Sequence, residues 1–155
     1  MIFSEFTDQL ENLSIESKPH WGIMTPQHMV EHLTQAVELS NGKFLITDCM
    51  NPPEKLPTLK RILMSSRPLP KGFVNTVIGA ELKPLSKKNL DSAKKELFIQ
   101  LINFIEYFTK NPEAKPTNPT FGPLSKEEWI VFHKKHFTHH LTQFGLIGEK
   151  QNESK

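Results

Sequence analysis

The stretch from Trp129 to Leu146, WIVFHKKHFTHHLTQFGL, sets polar histidines into an apolar helical stripe, and this limits what the chain can fold into. At about 100° per residue, positions i and i+4 of a helix differ by roughly 40° and point the same way. His136 and His140 are such a pair, and Trp129, Phe132, Phe137 and Phe144 fall around the same arc. The two imidazoles therefore share the core-facing stripe with the aromatics. A neutral imidazole brings one donor and one acceptor, which are costly to bury without partners. The fold has to supply those partners, and a metal ion is one of them.

A chain of 155 residues forms one domain large enough to bury a core without disulfides or a structural metal. The expected extent is residues 1–146 for the domain and 147–155 for a polar tail. Its single cysteine, Cys49, excludes an internal disulfide and a thiolate cluster, which fits a reducing compartment. A net charge of +2, from 19 basic and 17 acidic residues, gives no reason to expect nucleic acid or an anionic membrane as partner. Lys87-Lys88, Lys94-Lys95 and Lys134-Lys135 read as solvated helix faces. The first residues carry acids where a signal peptide needs a basic start, and no stretch approaches the length of a membrane span. A cytoplasmic protein is expected.

Taken in order, Ile2, Phe3, Phe6, Leu10 and Leu13 have helical spacing and predict a first helix over residues 2–14. Thr25-Pro26 is an N-cap followed by proline at the first helical position, and it opens a second helix that Gly42 ends near Asn41. Met29, His32, Leu33, Ala36, Leu39 and Ser40 share one arc of it. Residues 43–88 are rich in proline, with one convincing helical piece at Leu59–Ser66, and suit a crossover between bundle helices. Phe73–Leu82 has strand-like composition without a partner strand and is read as irregular.

Leu90–Thr109 is plainly helical, with Leu97, Leu101, Phe104, Ile105 and Phe108 on one face and Phe98 and Ile102 widening it. Asn111-Pro112 ends it, and a second proline-rich connection follows to Pro123. Ser125 to Glu128 is a capping box that opens the final helix, which runs through both histidines to Gly145. The result is an all-α chain, a four-helix bundle with a long irregular crossover between the second and third main helices.

In that bundle His32, from the second helix, faces the pair His136 and His140 on the last. Three neutral imidazoles with one open position are a known way to hold a divalent metal. The second helix also contains His28-Met29-Val30-Glu31-His32, which matches the inverted zinc-protease pattern HxxEH with Glu31 as base. Those proteases are far larger and need a distant acidic ligand, and this reading leaves the last helix's histidines without a role. His133 and His139 read as polar residues at the edge of the stripe, His133 near enough the arc to line a pocket and His139 about 60° to the other side of His136, at a helix boundary. Gln143, one turn past His139 and His140, is placed to donate a hydrogen bond to a ligand or to a bound water. His20 and Trp21 close the bundle end, and Cys49 has no activating neighbour in sequence.

Three blocks carry a family resemblance: Trp21-Gly22 with Met24-Thr25-Pro26, Met29 and His32; Phe121 to Ser125; and His136 with His139 to Leu141 and Gln143 to Gly145. Together they resemble the DinB/YfiT-like superfamily of metalloenzymes, in a bacterial branch of it. The resemblance implies an up-down-down-up four-helix bundle. It also implies a divalent metal, zinc or nickel, on His32, His136 and His140. Relatives include thiol-dependent transferases and isomerases and a hydrolase, and several pair as dimers.

The expected function is therefore a metal-dependent enzyme, either a hydrolase or a thiol-dependent transferase of a small molecule. A low-molecular-weight thiol is the expected cosubstrate of the second. Glu31, His139 and Gln143 are the candidate catalytic residues, and a homodimer is the expected assembly. The alternative is a non-enzymatic bundle that binds a metal or a small molecule, with a fourth protein ligand such as His28 or Glu31 closing the shell.

Overall fold

Side-chain caps set three of the helix starts. The computed structural model describes residues 2–69 and 82–148. Among these it has five α-helices: α1 (Ser4–Leu10), α2 (Pro26–Glu38), α3 (Leu56–Met64), α4 (Leu90–Lys110) and α5 (Lys126–Gln143). A 3-10 turn, Pro53–Lys55, precedes α3. A two-residue hairpin, β1 (Thr117–Asn118) with β2 (Gly122–Pro123), precedes α5. The chain is thus mainly helical. None of its described helices is long and apolar enough to cross a membrane.

The Thr25 side chain accepts from the His28 amide at the start of α2. At the start of α5, Ser125 Oγ accepts from Glu128 N and the Glu128 carboxylate accepts from Ser125 N, the reciprocal capping box that the sequence predicts.

The first helix is shorter than its apolar spacing implies. After Leu10 the chain tightens into turns, with the Leu13 amide bonded to the Leu10 carbonyl. The hydroxyls of Ser14 and Ser17 then take backbone amides of residues 14 and 16. Serine side chains that bond nearby backbone compete with helix continuation. Leu13 still reaches the core alongside Phe3, Phe6 and Leu10, whereas Ile2 is exposed.

The second helix also stops early, at Glu38, and the following turn carries Ser40 inward. Gly42 adopts φ +82°, and a Cβ there would lie 2.6 Å from the Tyr107 ring of α4. Only glycine combines that backbone with that approach.

The most extensive helix pairing is α2 against α4. Leu90, Ala93, Leu97, Leu101, Phe104 and Phe108 form the buried face of α4. Phe98 and Ile102 do not widen it: they are 47% and 38% exposed. One face of α4 rests on α2, and these two side chains lie outside it. α5 is contacted by α1, α2 and α3. The crossover helix, expected at Leu59–Ser66, is Leu56–Met64, and the expectation for Phe73–Leu82 falls almost wholly outside the described residues. So does that for the polar tail beyond Gly148.

The hairpin before α5 carries no apolar alternation and was not anticipated. Asn118 Oδ1 closes it by accepting from the amides of Thr120 (2.9 Å) and Phe121 (3.2 Å). Trp129 Nε1 donates to the Pro116 carbonyl at 2.9 Å, joining this connection to the core face of α5. The loop before α2 is fixed to the other end of α5, where the His20 amide donates to the Gln143 carbonyl at 2.7 Å.

Candidate metal centre

α2 and α5 pack against each other and bring together residues that are 104 apart in sequence. His136 Nε2 lies 2.9 Å from His32 Nε2 and 3.1 Å from His140 Nε2. One nitrogen from each of the three residues falls within 4.8 Å of the others. A tetrahedral zinc with Zn–N bonds of about 2.0–2.1 Å separates its ligand nitrogens by about 3.3 Å, so these two spacings are close to those of a metal shell. The rings meet edge to face, with centroids 4.7–4.8 Å apart.

Burial pushes the His32 pKa down to about 4, with Lys83 and His139 adding repulsion. His136 and His140 are also held well below the ordinary range, first by burial and then by the neighbouring imidazoles. All three are therefore neutral near pH 7, the form that ligates metal. Converging imidazole lone pairs repel unless a proton or a cation lies between them. The donor set thus fits a divalent ion of the borderline class that imidazole prefers.

Support behind the three rings is uneven. His140 Nδ1 meets Gln143 Oε1 at 2.7 Å, and Gln143 Nε2 donates to the Trp21 carbonyl at 2.9 Å. His32 Nδ1 is buried and has no hydrogen-bond partner among the described residues. Phe132 lines the far side, its ring centroid 5.3 Å from that of His136.

His133 is not at the stripe's edge; it is 1% exposed, in the middle of the core. Its Nε2 lies 2.7 Å from Ser40 Oγ, whose hydroxyl donates to the Val37 carbonyl. The imidazole nitrogen is then the donor to serine. Its ring stacks on Trp129 and meets Phe3 and Phe104 edge on. This is a core histidine with a satisfied polar atom, and nothing in the local sequence marked Ser40 as its partner.

His139 is partly buried, with its ring edge on to Trp21 and to His140 at centroid distances of 5.6 and 4.9 Å.

Glu31 is not part of the metal group. Its carboxylate accepts from the Ser86 amide and hydroxyl, both at 2.6 Å, and from Gln27 Nε2 at 2.9 Å. Burial raises its pKa, but these hydrogen bonds outweigh that effect and the net shift is downward. It lines a cavity of about 340 Å³ together with Glu38, Glu96 and Lys83, and none of the triad histidines lines that cavity.

His28 is occupied as well: its Nε2 donates to the Lys83 carbonyl at 3.0 Å and its Nδ1 takes the Thr25 hydroxyl at 2.6 Å. Cys49 is partly buried, with its thiol 3.5 Å from the Thr120 carbonyl.

The profile of a family described as proteins of unknown function, DUF1569, matches residues 5–145. The chain belongs to the DUF1569 family. The matched span runs from within α1 to the end of α5 and includes all three triad histidines. No curated protein and no solved structure matches this DUF1569 chain. The functional reading therefore rests on the site itself.

Proposed function

We propose that the protein is a divalent-metal-dependent enzyme in which His32, His136 and His140 hold zinc or nickel with one position open to a small-molecule substrate. The observation that carries this reading is the ligand count. Among the described residues no fourth histidine, cysteine or carboxylate joins the three. Structural zinc sites are closed by four protein ligands, whereas catalytic ones keep three and an open position. His28 and Glu31, the residues best placed in sequence to close the shell, are both engaged in other hydrogen bonds.

A metal held there supplies Lewis acidity toward a water or thiol nucleophile. The chain's own contribution is to keep three imidazoles neutral and aimed at one point, with Gln143 supporting His140 from behind. His139, beside His140 and against Trp21, is the group we assign to proton transfer. The same reading takes the protein as a DinB/YfiT-like four-helix bundle of up-down-down-up order, a cytoplasmic homodimer.

Hydrolysis and thiol transfer are separated by assay of the metal-loaded protein. Generic esters and amides are supplied without thiol, and a small electrophile is supplied with and without a low-molecular-weight thiol. Metal-dependent turnover in one of these, lost in His136→Ala, supports the reading and selects the reaction. Turnover unchanged by metal removal would overturn it.

A further inference from the structure

Gln143 has one orientation consistent with its neighbours. The Trp21 carbonyl only accepts, so the Gln143 amide nitrogen must face it, which leaves Oε1 toward His140 Nδ1. An amide oxygen carries no hydrogen, so Nδ1 is the donor. A neutral imidazole has a single N–H, and His140 Nε2 is then a bare lone pair on the side where it meets His136.

We propose that Gln143 is a positioning residue that sets the tautomer of His140 for metal binding, and that the Trp21–Gly22 turn sets the orientation of Gln143. The proposal rests on the metal reading above. It adds a determinant of metal affinity that touches no metal, located where a loop meets the end of a helix.

The turn is built for this contact. Gly22 has φ +80°, and a Cβ there would lie 2.8 Å from Gln143 Nε2. Glycine lets the turn close onto the amide. The loop is anchored to Gln143 a second time, through the His20 amide on the Gln143 carbonyl. That loop leads directly into α2, the helix that carries His32. The path from Trp21 through Gln143 to His140 thus joins the start of one ligand-bearing helix to the end of the other. Partners behind a ligating histidine fix its tautomer and ring angle, and their loss lowers metal affinity by about 10–100-fold.

Two measurements on full-length protein test this: long-range ¹H–¹⁵N NMR of the metal-free histidines, and zinc affinity by competition with a chelator. Wild-type His140 is expected to carry its proton on Nδ1. In Gln143→Leu the proton moves wholly or partly to Nε2, and zinc binding weakens by about 10–100-fold. Gln143→Glu supplies a carboxylate that still accepts from Nδ1 but has no hydrogen to give the Trp21 carbonyl, so it keeps the Nδ1–H form while losing the hold of the turn, and its zinc affinity falls between those of wild type and Gln143→Leu.

A wild-type His140 protonated on Nε2 would overturn the proposal. So would Gln143→Leu with tautomer and affinity unchanged, or Gln143→Glu with the His140 proton moved to Nε2. The wild-type tautomer needs no variant to fold. It also separates the two ideas: wild-type protein that binds neither zinc nor nickel removes the metal reading, while the NMR still decides whether Gln143 orders His140.

Discussion

The Nε2 atoms of His32 and His136 lie 2.9 Å apart although 104 residues separate them. This contact turns a common i, i+4 histidine pair into a three-nitrogen site. Replacing His32 with alanine is therefore expected to abolish stoichiometric zinc binding. Stability of the metal-free protein should change little, on the order of 1 kcal/mol, because the lost ring has a buried nitrogen that finds no partner among the described residues. Isothermal titration with zinc, paired with denaturant melts in chelator, checks both halves.

A metal that binds only the folded chain stabilises it by mass action. The gain is about 2.7 kcal/mol when free metal stands at roughly 100 times its Kd. For a chain of this size each kcal/mol moves Tm by about 2–4 °C. Chelation is then expected to lower Tm by roughly 5–11 °C in wild type and to leave His136→Ala unmoved, as read by calorimetry.

Ser40 is the partner of the fully buried His133. Ser40→Ala strands an imidazole N–H in the core and should cost about 1–3 kcal/mol of stability. Zinc affinity should stay at its wild-type value, since His133 is outside the ligand group. A large fall in affinity with little loss of stability would contradict the structural role assigned to this pair.

The same histidine shapes the acid limb of stability. Burial pushes its pKa down to about 3, from an unfolded value near 6.5. Between those pH values the unfolded chain binds a proton that the folded chain does not, so stability rises with pH and is lost as pH falls below about 6.5. The contribution is about 1.4 kcal/mol per pH unit. His133→Phe removes one titrating group while leaving the Ser40 hydroxyl bonded to Val37. Urea melts of metal-free protein from pH 7 to 4 should show a slope shallower by about one proton than wild type.

The starts of α2 and α5 were legible in the sequence because caps are local. Thr25 with Pro26, and Ser125 with Glu128, act over three residues and need no tertiary partner. The triad was legible because helical arcs placed His32, His136 and His140 on inward faces, and two helices facing one another did the rest.

What the pattern missed depended on distant coverage. Phe98 and Ile102 continue the apolar face of α4, yet periodicity cannot say how wide a neighbour will be. The early end of α1 turns on two serine hydroxyls that take backbone amides. The partner of Gln143 is a backbone carbonyl, which no side-chain motif records. Glu31 stands next to His32 in sequence, but about 100° around the helix, and this turns it toward Ser86 and a different cavity.

The central claim is that one divalent metal sits on His32, His136 and His140 with its fourth position open. An anomalous-difference map from crystals of the protein purified from metal-replete cells tests it most directly. The account predicts one peak, about 2.0–2.1 Å from the three Nε2 atoms, with a non-protein group in the remaining position. A map without a peak at the triad, or with a fourth side chain closing the shell, would contradict it.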